Sequence, residues 1–288
     1  MASLRRAVAW LDDHAPEIAL ATTGVTFFLL LLGLYTAAVG AGATCNNTYP
    51  GCAGQLSPLG LTLPQFVEWF HRFVAMAVGF VILGNALVLQ HRFPGTNASR
   101  AGWTALLVLP LQVVLGGTTV TFAGLIEGGY APPVQSLHFI AAFAIFAALV
   151  AATAWAYQRD DRIGPNAPRT ALTVGAGAFL AHLLLARDLL LTYTATVQTL
   201  YHFTALLGFA ALFAALCWNR GLSTRARTAA GAAIGFYLGE TALTVGLVLV
   251  TTPVELAAYA AAVLALVAAG VAARAHPGRG DQARPTVE

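Results

Sequence analysis

Eight apolar stretches, each close in length to a membrane-spanning helix, constrain this chain more than any other feature of its sequence. They occupy approximately residues 18–40, 64–90, 102–123, 132–157, 170–191, 195–218, 228–251 and 254–273. A helix needs about 20 apolar residues to cross the hydrocarbon core of a bilayer. Only 9% of the 288 residues are charged, against roughly 25% in soluble domains. The sequence therefore predicts an all-α integral membrane protein with eight transmembrane helices in a lipid bilayer.

The basic residues predict which way these helices cross. All fifteen are arginine, and most lie in alternate connections between the apolar stretches. Those arginines are Arg5, Arg6, Arg92, Arg100, Arg159, Arg162, Arg169, Arg220, Arg225, Arg227, Arg274, Arg279 and Arg284. Arginine-rich connections remain cytoplasmic, so we expect both termini in the cytoplasm of a prokaryotic cell. The sequence has no basic stripe of the kind that binds nucleic acid.

Short similar segments suggest an internal repeat. VEWFHRF at 67–73, VQSLHF at 134–139 and VQTLYHF at 197–203 resemble one another. LQVVLGGTTV in the third span has a looser counterpart in LGETALTVGL of the seventh, which sets Gln112 against Glu240. We therefore predict two pseudo-symmetric four-helix bundles. Their bounds are 1–157 and 170–274, with a cytoplasmic linker at 158–169 and a disordered tail at 275–288.

Three histidines lie at a similar depth in even-numbered spans. His71 follows Pro64 by seven residues and His138 follows Pro132 by six, and His202 is placed similarly. At about 1.5 Å per residue, the first two lie on the order of 10 Å below the outer ends of their helices. Inward side chains of diagonal helices can meet on the axis of a four-helix bundle, where two imidazoles can ligate a heme iron. The alternative for each histidine is a hydrogen bond to a neighbouring helix.

Two charged residues accompany His71. Glu68 precedes it by one helical turn and Arg72 follows Glu68 by four residues, so Glu68 and His71 share a helix face. A carboxylate there can exchange a proton near a substrate or hold a water molecule. Arg72 can pair with Glu68 or with a heme propionate. The simpler alternative is a Glu–Arg pair that only anchors the helix end.

The predicted outward loop contains CNNTYPGC, in which Cys45 and Cys52 are seven positions apart. The compartment outside the cytoplasm favours disulfides, and two cysteines without further thiol or imidazole ligands do not close a zinc site. We expect a Cys45–Cys52 disulfide, either as a brace or as an exchangeable redox pair.

These segments together resemble the heme A synthase family over nearly the whole chain. The resemblance lies in GAGATCNNTYPGC, in the E-x-x-H-R signature at Glu68–Arg72, in LGGTTVTFAGL and in the histidine of VQSLHF. It implies a membrane enzyme that oxidises the C8 methyl group of heme O to a formyl group, giving heme A, by two hydroxylations and loss of water. It further implies that His71 and His138 hold the substrate heme beside Glu68, and that the second half holds heme b. The implied partners are a heme O synthase, a terminal oxidase that contains heme A, and an electron donor.

The sequence departs from the family at the heme b site, whose second histidine should lie in the eighth span. Ala258, Tyr259 and Ala260 occupy that depth instead. His202 is then the expected heme b ligand without its usual partner. Three explanations remain open: a five-coordinate heme, an unusual second ligand such as His182 or Tyr259, or a second half that serves only as scaffold. Arg187, near the outer end of the fifth span, is expected to pair with Asp188 or with a propionate.

Two other classes of protein share paired histidines in a membrane bundle. One is a b-type cytochrome that only transfers electrons, and the other is a heme carrier or chaperone. The cytochrome needs neither a carboxylate beside a ligand nor an outer cysteine loop, so Glu68 and Cys45–Cys52 favour the enzyme over it. The missing fourth histidine leaves the carrier open. Conversion of heme O to heme A separates the three.

Overall fold

The computed structural model describes residues 2–275 except 46, 47, 49, 124–131, 219, 220 and 245–250. Within these residues the chain is built from α-helices. They are α1 (Ala2–Asp13), α2 (Ala15–Ala38), α3 (Leu63–Arg92), α4 (Asn97–Ala123), α5 (Pro132–Arg159), α6 (Ala167–Leu184), α7 (Ala195–Trp218), α8 (Thr224–Thr244) and α9 (Thr252–Ala275). A short 3₁₀ turn, Ala41–Ala43, follows α2. Helix starts at α2, α3 and α6 carry proline in the first turn, where its missing N–H costs nothing.

Six of the described helices are long and apolar enough to cross a membrane, namely α2, α3, α4, α5, α7 and α9. This confirms the prediction of an all-α membrane protein. Large apolar side chains on these helices face outward, for example Leu107 and Leu256, which are 73% and 64% exposed. Such exposure suits hydrocarbon rather than water. That α6 and α8 also span the membrane stays a prediction.

Two features differ from the sequence-based expectation. Helix α1 precedes the first predicted span, and the fifth apolar stretch is helical only to Leu184 although it was predicted to run to 191. The chain turns there because Asp188 adopts a left-handed conformation, with φ of 54°. Its Oδ1 accepts a hydrogen bond from the backbone N of Tyr193 at 3.0 Å, a local contact by which aspartate stabilises turns. The predicted outer loop 124–131 lies outside the described residues, as does the predicted tail 275–288 except for Ala275, which is the last residue of α9 rather than part of a tail.

The long helices pack in two rings. In the first, α2 contacts α3 and α5, and α4 contacts the same two helices; in the second, α6 contacts α7 and α9, and α8 contacts the same two. Helix α7 also packs against α2 and α5, which joins the rings. Phe146 of α5 and Phe209 and Leu212 of α7 belong to one buried apolar cluster at this junction. Each ring therefore encloses an interior of its own, lined by four helices.

Candidate functional site

His71 lies on α3 and faces the neighbouring helix α2 of the first ring. A Cβ atom built on Gly33 of α2 would lie 3.0 Å from His71 Cε1, so the absence of a side chain at Gly33 makes room for the imidazole. His71 Nδ1 is buried and has no hydrogen-bond partner among the described residues. Because buried polar atoms normally have partners, this nitrogen points to a group that the protein alone does not provide.

His138 on α5 repeats this arrangement with α4. A Cβ atom on Gly116 would lie 3.1 Å from His138 Cε1, and His138 Nδ1 likewise lacks a partner within the described part of the chain. The Gln112 amide nitrogen lies 3.3 Å from His138 Nε2. Gln112 and Gly116 are four residues apart, so both lie on the face of α4 that meets the imidazole. Each histidine is thus seated against a glycine of the neighbouring helix.

Both histidines line one cavity of about 700 Å³ inside the first ring. This volume lies in the range of about 300–1,000 Å³ that small-molecule and cofactor sites occupy. The walls are mostly aliphatic, and the polar side chains among them are Glu68, His71, Arg72, Gln112, Gln135, His138, Thr26, Thr36 and Thr119. A mostly apolar cavity with two imidazoles from opposite helices fits a heme held at its iron by His71 and His138.

Glu68 and Arg72 line this cavity at the end next to the Cys45–Cys52 loop. Arg72 Nε donates to Glu68 Oε1 at 2.7 Å, and the two side chains are only 9% and 7% exposed. Arg72 Nη1 donates to the backbone oxygens of Thr48 and Gly51 at 2.6 and 2.5 Å. Of the two pairings expected for Arg72, the structure shows the one with Glu68. The guanidinium therefore connects the cavity carboxylate to the outer loop.

Cys45 and Cys52 form the predicted disulfide. Both are buried, at 1% and 0% exposed, and the bond closes the segment that offers its carbonyl oxygens to Arg72. Cys217 is the free cysteine of the described residues. The disulfide thus fixes the loop that receives the arginine beside the cavity.

The loop requires glycine at position 51. A Cβ atom there would lie 2.3 Å from the backbone oxygen of Gln55, and a backbone group has little freedom to yield. We expect Gly51→Ala to displace the loop, at a cost of about 1–3 kcal/mol for overpacking, and to lower the fraction of protein with a closed disulfide. Thiol labelling followed by mass spectrometry measures that fraction. Gly84→Ala is the control because nothing lies within 4 Å of its Cβ position, and equal disulfide content in both variants would contradict the expectation.

The two glycines that contact the histidines suggest a matched pair of substitutions. Gly33→Ala and Gly116→Ala each put a methyl group 3.0–3.1 Å from an imidazole, which must then shift by a few tenths of an ångström. We expect altered heme spectra and slower turnover, by less than the roughly 100-fold that a misplacement of about 1 Å can cost. Gly24→Ala on α2 and Gly117→Ala on α4 are controls on the same helices, since no atom lies within 4 Å of either Cβ position. Spectra that change equally in the control and test variants would contradict a close contact between these glycines and the imidazoles.

The interior of the second ring holds a different set of polar groups. His182 of α6 and Glu240 of α8 are 2% and 3% exposed, and His182 Nε2 lies 2.9 and 3.0 Å from the two carboxyl oxygens of Glu240. His182 Nδ1 lies 3.1 Å from the backbone oxygen of Tyr201 on α7. The Tyr201 hydroxyl donates to Glu240 Oε1. His182, Glu240 and Tyr201 therefore form one hydrogen-bonded network across three helices.

His202 lies beside this network, with its ring centroid 5.1 Å from that of Tyr201. Its ring lies 6.3 Å from that of Phe139 on α5, a residue that lines the cavity of the first ring. Tyr259 donates its hydroxyl to the backbone oxygen of Arg187. The three residues considered for heme b, His202, His182 and Tyr259, thus have different surroundings, and their ligand role stays a prediction.

Arg187 lies at the outer end of the second ring. Its guanidinium is 3.9 Å from Asp188 and 3.7 Å from Glu255, and its side chain is 58% exposed. It also lies over the ring of Tyr193, 5.8 Å from the centroid. Burial raises the pKa of Tyr193 to about 12 although Arg187 acts in the opposite sense, so this hydroxyl stays protonated at physiological pH. The expected Arg187–Asp188 pair is present as an exposed contact.

Sequence reasoning missed the register of α7. Gln135 precedes His138 by three residues and Glu68 precedes His71 by three, so the same step from Gln198 leads to Tyr201 rather than His202. The structure follows this spacing, since Tyr201 points into its ring. The signal in the sequence is the Glu or Gln that lies three residues before each inward-facing side chain, at Glu68, Gln135 and Gln198. No group of three or more His, Cys, Asp or Glu side chains suited to a metal ion occurs in the described residues.

Residues 17–191 match the COX15-CtaA family, which is described as cytochrome oxidase assembly protein. The chain is 34% identical over 150 residues to a protoheme IX farnesyltransferase of Halobacterium salinarum, covering 52% of this chain and 31% of that protein. It is 28% identical over 142 residues to a heme A synthase of Bacillus licheniformis, covering 49% and 45%. A heme A synthase of Alkalihalophilus pseudofirmus is 27% identical over 144 residues, covering 49% and 46%.

The chain thus spans between about a third and a half of the length of these relatives. No solved structure matches it. The family match runs from α2 past the end of α6 and includes both histidines of the cavity, Glu68 and the disulfide loop. Because residues 17–191 are more than half of the 288 residues, the chain belongs to the heme A synthase family, the cytochrome oxidase assembly proteins of the COX15-CtaA type.

Proposed function

We propose that this protein is a heme A synthase, which oxidises the C8 methyl group of heme O to the formyl group of heme A. The observation that carries the proposal is the cavity of about 700 Å³ into which His71 and His138 project from opposite helices. Glu68, one turn from His71, lines the same cavity. A site that only transfers electrons through a heme needs the two ligands and no adjacent carboxylate.

The residues of the cavity divide into four roles. His71 and His138 hold the substrate heme at its iron, and the aliphatic walls, Leu30, Ile82 and Ile145 among them, exclude water. Glu68 accepts a proton or positions a water molecule where the methyl group is oxidised. Arg72 holds Glu68 in place through its 2.7 Å contact. When bound, heme O would supply the C8 methyl group that is oxidised.

The names of the relatives support a farnesylated heme as the substrate. Two kinds of name occur, heme A synthase and protoheme IX farnesyltransferase. Farnesyl transfer to protoheme IX produces the type of heme that a heme A synthase consumes. We propose that the chain receives heme O from such a transferase and delivers heme A to a terminal oxidase, with an electron donor as third partner.

We further propose that α2 to α9 all span a prokaryotic cell membrane and that both termini are cytoplasmic. Charged contacts collect at the end of the molecule where the arginine-rich connections lie. Arg162 contacts Glu17 and, at 3.2 Å, Asp160, which also contacts Arg92 at 3.2 Å. Arginine enrichment at one end is the signature of the cytoplasmic side.

The test is co-production of the protein with a heme O source in a host without heme A. Heme extracted from the membranes is separated by chromatography and identified by mass spectrometry. We expect heme A to appear only when this chain is present. Heme O bound without conversion would favour a heme carrier, and protoheme alone would favour an electron-transferring cytochrome, so either result would overturn the proposal.

A further inference from the structure

We infer that the second helix ring binds no heme and that the His182–Glu240–Tyr201 network holds its helices together in the place of that cofactor. This goes beyond the proposed function, which concerns the first ring alone. The family resemblance implies heme b in this half, so the inference rests on how the residues present there fit a heme.

The helix register shows what replaced the expected ligand. Glu68 and Gln135 each lie one turn before a histidine that faces the cavity of the first ring. Gln198 lies one turn before Tyr201, which is 8% exposed and donates its hydroxyl to Glu240. A tyrosine therefore stands at the position of a ligand histidine. Its hydroxyl is already bound to a carboxyl group.

Helix α9, which corresponds to the eighth predicted span, offers no iron ligand in place of the expected histidine. Ala258 lies at the depth where the resemblance implies a second histidine, and its side chain is buried at 8% exposed. The alanines one and two turns further along, Ala262 and Ala265, are each 2% exposed. At these positions helix α9 therefore presents the methyl groups of alanines to the interior of the second ring. Small side chains let helices approach closely, which leaves little room for a planar macrocycle beside them.

His182 is not available to an iron. A backbone oxygen only accepts hydrogen bonds, so His182 Nδ1, 3.1 Å from the oxygen of Tyr201, carries a hydrogen. Nε2 lies within hydrogen-bond distance of the Glu240 carboxyl group, 2.9 and 3.0 Å from its two oxygens. Both ring nitrogens are thus engaged. In the first ring, by contrast, the Nδ1 atoms of His71 and His138 have no partner among the described residues.

The network is also surrounded by packed side chains. The Tyr201 ring lies 4.0 Å from the His182 ring between centroids, and the Phe179 and Tyr237 rings each approach within 6.4 Å of His182. Phe179 and Tyr237 are 1% and 3% exposed. A polar network whose members are all satisfied is stable in a low-dielectric interior and fixes one packing arrangement. Here it connects α6, α7 and α8.

Titration of the detergent-purified full-length protein with hemin tests the inference. Low-spin spectra typical of two histidine ligands give the number of specific sites per chain. We expect one site in the wild type, none in His71→Ala/His138→Ala, and one in His182→Ala and in Glu240→Gln. His182→Ala should melt lower by roughly 5–20 °C, because it leaves the buried Glu240 carboxyl group and the Tyr201 backbone oxygen without this partner. Glu240→Gln should melt closer to the wild type, because its amide can still donate to His182 Nε2 and accept from the Tyr201 hydroxyl.

The outcomes separate this inference from the proposed function. Two sites in the wild type with one retained in His71→Ala/His138→Ala would overturn the inference and leave the first-ring site intact. Loss of the hemin spectrum in His182→Ala, with a folded protein, would also overturn it. If neither the wild type nor the variants bound hemin, the proposed heme site of the first ring would be wrong. The inference that the second ring binds no heme would still agree with that result. Glu240→Gln keeps the size of the side chain, so it reports on the network when His182→Ala does not fold.

Discussion

Replacing His71 or His138 by alanine is expected to abolish heme A formation. Each imidazole projects into the cavity of the first ring, and neither Nδ1 atom is held by another described residue. Loss of an outer-shell partner at a metal site costs about 10–100-fold. Loss of the ligand itself should cost more, so we expect heme A to fall by more than about 100-fold. Chromatography of extracted heme measures this.

Added imidazole distinguishes a lost ligand from a misfolded protein. Alanine at position 71 or 138 leaves space that free imidazole can occupy, so the low-spin heme spectrum should return in part when imidazole is supplied. His91→Ala is the control, because His91 is exposed and contacts Asp12 away from the cavity. Heme A formation at the wild-type level in either cavity variant would show that the histidine does not hold the substrate.

Glu68→Gln is expected to have the second-largest effect. The change preserves shape but removes the charge from a carboxyl group that lines the cavity and is 5% exposed. A positioned general acid or base contributes about 10²–10⁴-fold to a rate, so we expect heme A formation to fall within that range. Bound heme O should stay near the wild-type amount, since both iron ligands remain. Extracted heme A and heme O, measured together, report both quantities.

Arg72 makes it possible to separate chemistry from anchoring. If Glu68 only anchored Arg72, then Glu68→Gln would add nothing to Arg72→Gln, because the 2.7 Å contact is already lost. If Glu68 acts on the substrate, the double variant should be slower than Arg72→Gln alone; such a cycle measures their coupling. Glu255→Gln is a control at the outer end of the second ring, where Glu255 is exposed. Unchanged heme A formation in Glu68→Gln would remove this residue from the mechanism.

The disulfide loop has a role that neither cysteine reveals by itself. Arg72 reaches out of the cavity to the carbonyl oxygens of Thr48 and Gly51, which lie inside the Cys45–Cys52 segment. The orientation of Glu68 therefore depends on a loop that is far from it in sequence. The E-x-x-H-R spacing predicts that Glu68 and His71 share a helix face, but the partners of Arg72 depend on how the loop folds back.

Several features followed from the sequence because they depend on local order along the chain. The length and apolarity of the helices predict the membrane fold, and the position of Cys45 and Cys52 in a loop that is predicted to face outward predicts their disulfide. The spacing of Glu68, His71 and His138 determined which side chains line the first cavity, since residues three or four apart share a helix face.

Only the tertiary structure decided what the second ring contains. His202 and Tyr201 are adjacent in sequence, yet neighbouring residues on a helix point about 100° apart, so only one of them faces the ring. His182, Tyr201 and Glu240 come from three helices and meet within hydrogen-bond distance. The sequence displays each as a separate costly group in an apolar helix. The hydrogen bonds among these side chains depend on helix packing, which brings together residues as far apart as positions 182 and 240.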